Sequence, residues 1–123
     1  MSADSDRARA AFTAERRFWK DLGDGRRVRL QMLTKPSFAG IVRGAKGLSI
    51  IEEAVHIAAL RIVDWDLEER HVLKSGGEEK VPFDKELAAD WLEVNCDLAA
   101  EISEDLIERF KSEQAQLADA TKN

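Results

Sequence analysis

The polar and apolar positions of this chain change period along its length. From Arg26 to Leu33 they alternate: Val28, Leu30 and Met32 share one face, Arg27, Arg29 and Gln31 the other. Period two describes a strand with one buried face and one solvated, basic face. Arg16 to Asp21 reads as a partner strand. Leu22-Gly23-Asp24-Gly25 reads as the turn between them, because Asp-Gly supplies the positive φ that a tight hairpin needs. A lone hairpin is not stable in water. This one is expected to lie against helices or to pair with another subunit's edge.

Downstream the period becomes helical. Thr34 is placed as an N-cap for a short helix from about Lys35 to Arg43, with Pro36 tolerated in its first turn. Gly44 and Gly47 end it. The strongest helical pattern runs from Leu48 to Val63. At about 100° per residue, Leu48, Ile51, Ala54, Val55, Ala58 and Ile62 fall on one broad arc. So wide an arc implies contact on more than one side and predicts a central helix. A polar loop with Gly76-Gly77 follows. Pro82 holds Val81 extended, and Asp84 is placed to cap a helix from Lys85 to Val94. Phe83 and Ala88 have the spacing of a hydrophobic staple. Trp65 and Phe83 are expected to be anchors that close the long loop, packed near Trp91. Asn95-Cys96-Asp97 interrupts the helical pattern, with Asp97 as the expected cap of the last helix. Leu98, Ile102, Leu106 and Phe110 then step by four, a stripe for docking on the central helix.

The fold class this predicts is α+β, mainly α: a short N-terminal β-hairpin, then about four helices around Leu48 to Val63. Residues 1–14 read as a mobile arm or frayed helix, 15–112 as a single domain, and 113–123 as a polar tail.

Several of these segments resemble a known family. Gly25-Arg26-Arg27-Val28-Arg29-Leu30 leading to Leu33-Thr34 is similar to the opening strand of the tail assembly chaperones of long-tailed bacteriophages and prophages. The apolar helix into Val63-Asp64-Trp65, the polar loop with glycine, Val81-Pro82-Phe83 and a short helix with Leu and Trp resemble the rest of that domain. The resemblance covers roughly residues 16 to 110. The loop from Asp66 to Lys80 is longer than the family's pattern, and Met1 to Ala14 has no counterpart. The resemblance implies a non-enzymatic protein of the host cytoplasm. It would bind the tape measure protein until tail tube protein polymerises around it.

Composition narrows the alternatives. The chain has 123 residues, 35% of them charged, and reads as one soluble globular domain. Its single cysteine, Cys96, rules out an internal disulfide and a Cys-cluster zinc site. Met1 to Ala14 is too polar for a signal peptide. Leu48 to Val63 is too short and too charged to span a bilayer. The net charge of −5 conceals an asymmetry: residues 1–35 carry nine Lys/Arg against five Asp/Glu, the remainder ten against nineteen.

The chemistry-bearing residues form no catalytic set, and no cofactor or metal site is expected. Glu52 lies one helical turn before His56 and could pair with it. Glu53 with His56, and Glu68 with His71, have the Glu-x-x-His spacing of di-iron sites. The second pair falls at a loop, and both histidines read as surface or interface groups. Cys96 beside Asp97 lacks the cationic setting of a nucleophile. Adjacent acidic pairs diverge by about 100° on a helix and do not converge on a metal. The basic hairpin is the ambiguous feature. Arg17, Trp19, Arg27 and Arg29 on its outer face suit a protein partner or a second copy of the chain. Basic residues interleaved with Phe18 and Trp19 also suit single-stranded nucleic acid. A regular strand lets only one of these aromatics face the core. The acidic bulk favours the protein partner.

Overall fold

In a computed structural model, residues 3–121 are described. The hairpin forms where the alternation places it: β1 (Arg17–Gly23) and β2 (Arg26–Gln31) pair antiparallel across Asp24-Gly25. Asp24 itself takes a positive φ of 54°, which an Asp tolerates in a tight turn. Phe18, Lys20 and Leu22 face inward from β1, and Val28 and Leu30 from β2.

The hairpin is completed from within the chain. Residues 50–61 form α3 (Ile50–Arg61), and the chain then turns into β3 (Ile62–Asp66). This corrects the expected helix of Leu48 to Val63 at both ends. Ser49 caps α3 by a reciprocal box: its hydroxyl accepts from Glu52 N, and the Glu52 carboxylate accepts from Ser49 N. β3 pairs antiparallel with β2, so the sheet order is β1-β2-β3. Leu30 pairs with Ile62 and Arg29 with Asp64, leaving Val63 as the extra residue of a bulge. That bulge lets Ile62 and Trp65 both point into the core, although they are three residues apart. A regular strand would send them to opposite faces.

The helices end where local chemistry stops them. Thr34 caps α2 (Lys35–Gly44) and Asp84 caps α5 (Lys85–Val94), each accepting from the backbone of the first turn. A single turn, α4 (Glu69–Val72), lies within the long loop. One cation meets open carbonyls at the end of α3, and a second meets those at the end of β2. Lys85 Nζ donates to Ile62 O at 2.8 Å, and Arg61 donates to Gln31 O and Met32 O on the strand side. Burial, then the neighbouring Arg61, lowers the Lys85 pKa from its ordinary value.

The last helix, α6 (Cys96–Thr121), spans 26 residues, about 39 Å at the α-helical rise. Its first helical residue is Cys96, so Asp97 lies in the first turn and not at the cap. Ala99, Ile102 and Leu106 are buried against α3, which contributes Ile57 and Ala58. Lys20 pairs with Asp105 at 3.1 Å, the Arg109 guanidinium sits 3.8 Å over the Phe18 ring, and Phe110 stacks on Phe38 of α2. The fold is thus α+β and mainly helical, at 62% helix.

The N-terminal end takes one of the two forms expected of it, a helix, and the expected polar tail is helical as well. Residues 3–15 form a helix, α1 (Ala3–Glu15), and residues 113–121 continue α6. Arg16 reaches Glu113 by an ion pair, so the start of the sheet and the late turns of α6 are tied. The outermost two residues of the expected arm and of the expected tail lie outside the described residues.

Candidate functional site

The outer face of the sheet carries the residues that the sequence singles out. Trp19 on β1 pairs with Arg29 on β2, which pairs with Asp64 on β3. One row along, Asp21, Arg27 and Asp66 line up in the same way. Trp19 is 40% exposed, whereas its neighbour Phe18 packs inward. The Arg27 guanidinium lies 4.9 Å from the Trp19 ring centre and that of Arg29 5.9 Å. Cations over an indole face are held by its quadrupole. The four residues Arg17, Trp19, Arg27 and Arg29 therefore share one face.

Their charges are partly engaged. Arg17 donates to Gln31 Oε1 at 2.8 Å, and Arg27 to Asp66 at 3.1 Å. Asp66 also accepts from Lys80 at 2.7 Å. The hydrogen bonds from Lys80 and then Arg27 hold the Asp66 carboxyl below the usual carboxylate range. Arg29 Nε is buried with no hydrogen-bond partner among the described residues. Helix α1 borders this face, and a cleft of about 410 Å³ lies between them, lined by Asp6, Arg9, Thr13, Arg17 and Arg29 among others. The arrangement offers one aromatic platform edged by cations. It lacks the succession of exposed aromatics on which consecutive bases stack.

The closing loop is built on indoles. Trp65 and Trp91 are buried, at 5% and 4% exposure. Trp65 meets Phe83 edge-on at 5.4 Å and Trp91 at 5.8 Å. Its Nε1 donates to Val81 O at 2.8 Å, and Trp91 Nε1 donates to His71 O at 3.0 Å. Phe83 is only half-buried, so it is the outer member of the cluster.

One histidine departs from the surface or interface position expected of both. His71 is not a surface group: its side chain is 4% exposed. Its Nδ1 accepts from Glu68 N at 3.0 Å, and its Nε2 lies 2.9 Å from Asp24 O. An imidazole with its proton on Nε2 satisfies both bonds. The ring thus braces the loop against the hairpin turn, where Arg70 also reaches the Asp24 carboxylate. Glu52 does not pair with His56, because it caps Ser49. That bonding, first from the Ser49 backbone and then from its side chain, lowers the Glu52 pKa. His56 Nε2 is buried without a hydrogen-bond partner among the described residues, close to Gly44, where a Cβ would sit 2.9 Å away. Among the described residues no group of His, Cys, Asp or Glu is arranged to hold a metal ion. No helix among them is long and apolar enough to cross a membrane.

The chain matches no protein-family model, no curated protein sequence and no solved structure.

Proposed function

We propose that this chain is a non-enzymatic tail assembly chaperone of a long-tailed bacteriophage or prophage. In this reading it acts in the host cytoplasm, binds the tape measure protein and helps recruit tail tube protein. The observation that carries the reading is how the resembling segments meet. Val28 of the opening strand pairs with Trp65, Trp65 bonds Val81, and Phe83 packs on Trp65. Segments separated by the loop thus form one packing unit, as a shared domain design requires. The outer face with Trp19 and its arginines supplies an exposed aromatic of the kind enriched at protein interfaces. β1 is an edge of the sheet, and an open edge can pair with another chain.

The test is co-expression with the tape measure protein that this reading expects to be encoded beside it. The client should stay soluble and carry several copies of this chain. Trp19→Ala together with Arg17→Glu should weaken that assembly and leave the thermal melt of the free chain nearly unchanged. A client equally soluble alone, with no co-purification in mild salt, would sink the proposal.

The exposed Trp19 between Arg27 and Arg29 keeps a second reading in view, a small nucleic-acid-binding regulator. Under the chaperone reading, labelled single- and double-stranded oligonucleotides should bind weakly and release steeply with salt, as expected for a few phosphate contacts. Sub-micromolar affinity at physiological salt, abolished by Arg27→Glu and Arg29→Glu, would favour the regulator instead.

A further inference from the structure

On the side of the molecule built by α3, α5 and α6 lies a second surface of different chemistry. A cleft of about 350 Å³ opens between α3 and the junction of α5 with α6. Leu48, Ile51 and Val55 give it apolar walls, and among the described residues Glu52 and Glu93 are the carboxylates that line it. Ile51 is 62% exposed at its lip, and Val94, next to Glu93, is 83% exposed. The other flank of α3 repeats the pattern. A cleft of about 220 Å³ is lined by Ile50, Ala54, Ile57 and Ile107, with Glu53 and Glu104 as its charges. Ile50 there is 87% exposed. No lysine or arginine lines either cleft among the described residues.

We infer that these two clefts are docking positions for a cationic amphipathic helix of a partner protein, which seats apolar side chains between the isoleucines and sets lysines or arginines against the glutamates. The inference rests on the chain being an interaction protein for a helical client. Exposed isoleucines at the mouth of a groove cost free energy unless something covers them. A groove that takes an amphipathic helix is one of the recurrent modes of recognition. The sign of the rim selects the partner. Four glutamates repel an acidic helix and an acidic copy of this chain, and they attract a basic one. The chain's own exposed helix, α1, is a poor occupant: Asp4 and Asp6 stand beside Arg7 and Arg9, and Phe12 is its only large apolar residue. Two clefts of one chemistry on one helix also suit a long client, because weak contacts that repeat gain avidity when they are linked.

The experiment uses the full chain and two labelled synthetic helices, one with leucines on one face and lysines on the other, the second with glutamates in place of the lysines. Fluorescence polarisation at physiological ionic strength should show binding of the lysine helix and none of the glutamate helix. Ile51→Glu and Ile50→Glu should each weaken binding about tenfold, because each sets a carboxylate where the helix would seat an apolar side chain. Both sites are exposed, so a carboxylate there stays in water, and circular dichroism checks that the fold is kept. Glu93→Lys with Glu104→Lys should weaken the lysine helix and admit the glutamate helix, a gain that damage to the fold cannot produce. Equal binding of both helices, or affinity unchanged in all these variants, would overturn the inference. So would a dimer in sedimentation that Ile51→Glu dissolves, since the surface would then belong to a second copy. If the lysine helix binds as described while the tape measure protein is not protected, the surface stands and the chaperone reading falls. If Ile50→Glu and Ile51→Glu still protect the client, the reverse holds.

Discussion

Trp65→Ala should cost about 3–5 kcal/mol, the usual loss on truncating a buried aromatic, and a domain has only about 5–15 kcal/mol to lose. The indole does three jobs at once. It fills the core between β3 and α5, presents edges to Phe83 and Trp91, and donates to Val81 O. Alanine empties the cavity and leaves the Val81 carbonyl short of its partner. Trp65→Phe separates these effects. It keeps most of the packing and loses the bond, at roughly 1–3 kcal/mol for an unmet buried group. Phe83→Ala should fall below Trp65→Ala, because Phe83 is only half-buried. Urea denaturation of the three variants gives the order. A Trp65→Ala midpoint equal to that of the parent would mean that the loop is not anchored there.

Gly76→Ala should open the long loop. A Cβ at Gly76 would overlap the Glu69 carbonyl and come within 2.7 Å of Arg70 N. All of these are backbone atoms, so no side chain can swing aside. The loop is held across itself by Glu69 N to Glu79 O at 2.8 Å and Arg70 N to Gly77 O at 2.9 Å. Relief requires separating those strands of the loop, at about 1–3 kcal/mol for overpacking of this kind. Gly77→Ala is the control. Nothing lies within 4 Å of a Cβ there and its φ is not positive, so the change should be near neutral. Hydrogen exchange of the Glu69 and Arg70 amides reads the outcome. Equal protection in both variants would show that the close approach at Gly76 is not needed.

Much of this architecture is legible in the residues, and its gaps have physical causes. The hairpin shows because Arg26 to Leu33 alternates and Asp24-Gly25 fits only a few turns. The caps at Thr34 and Asp84 show because each oxygen stands just ahead of a helical pattern. β3 is hidden by its own bulge. With Val63 as an extra residue, Ile62 and Trp65 share a face at a spacing of three, which a period of 3.6 reads as more helix. Ser49-x-x-Glu52 is a capping box that would have set the start of α3, but Glu52 is equally well placed to face His56. α1 has no apolar stripe to betray it. Its alanines and arginines favour helix by propensity alone. The basic outer face of β2 follows from alternation, which also sends one of Phe18 and Trp19 outward without saying which. The arginine partners on that face do not, because Asp64 and Asp66 arrive on the strand that the pattern conceals. The role of His71 is equally out of reach, since Asp24 lies 47 positions away in the chain.

The placement of the three indoles has a practical consequence. The chain contains no tyrosine, so its ultraviolet emission comes from tryptophan almost alone. Two of those indoles are sealed in the interior, and the third stands in solvent on the hairpin face. A polar collisional quencher added to the native protein therefore dims Trp19 selectively, while denaturation shifts the colour of Trp65 and Trp91. One cuvette can then report occupancy of the hairpin face and integrity of the core as separate optical signals, with no dye attached.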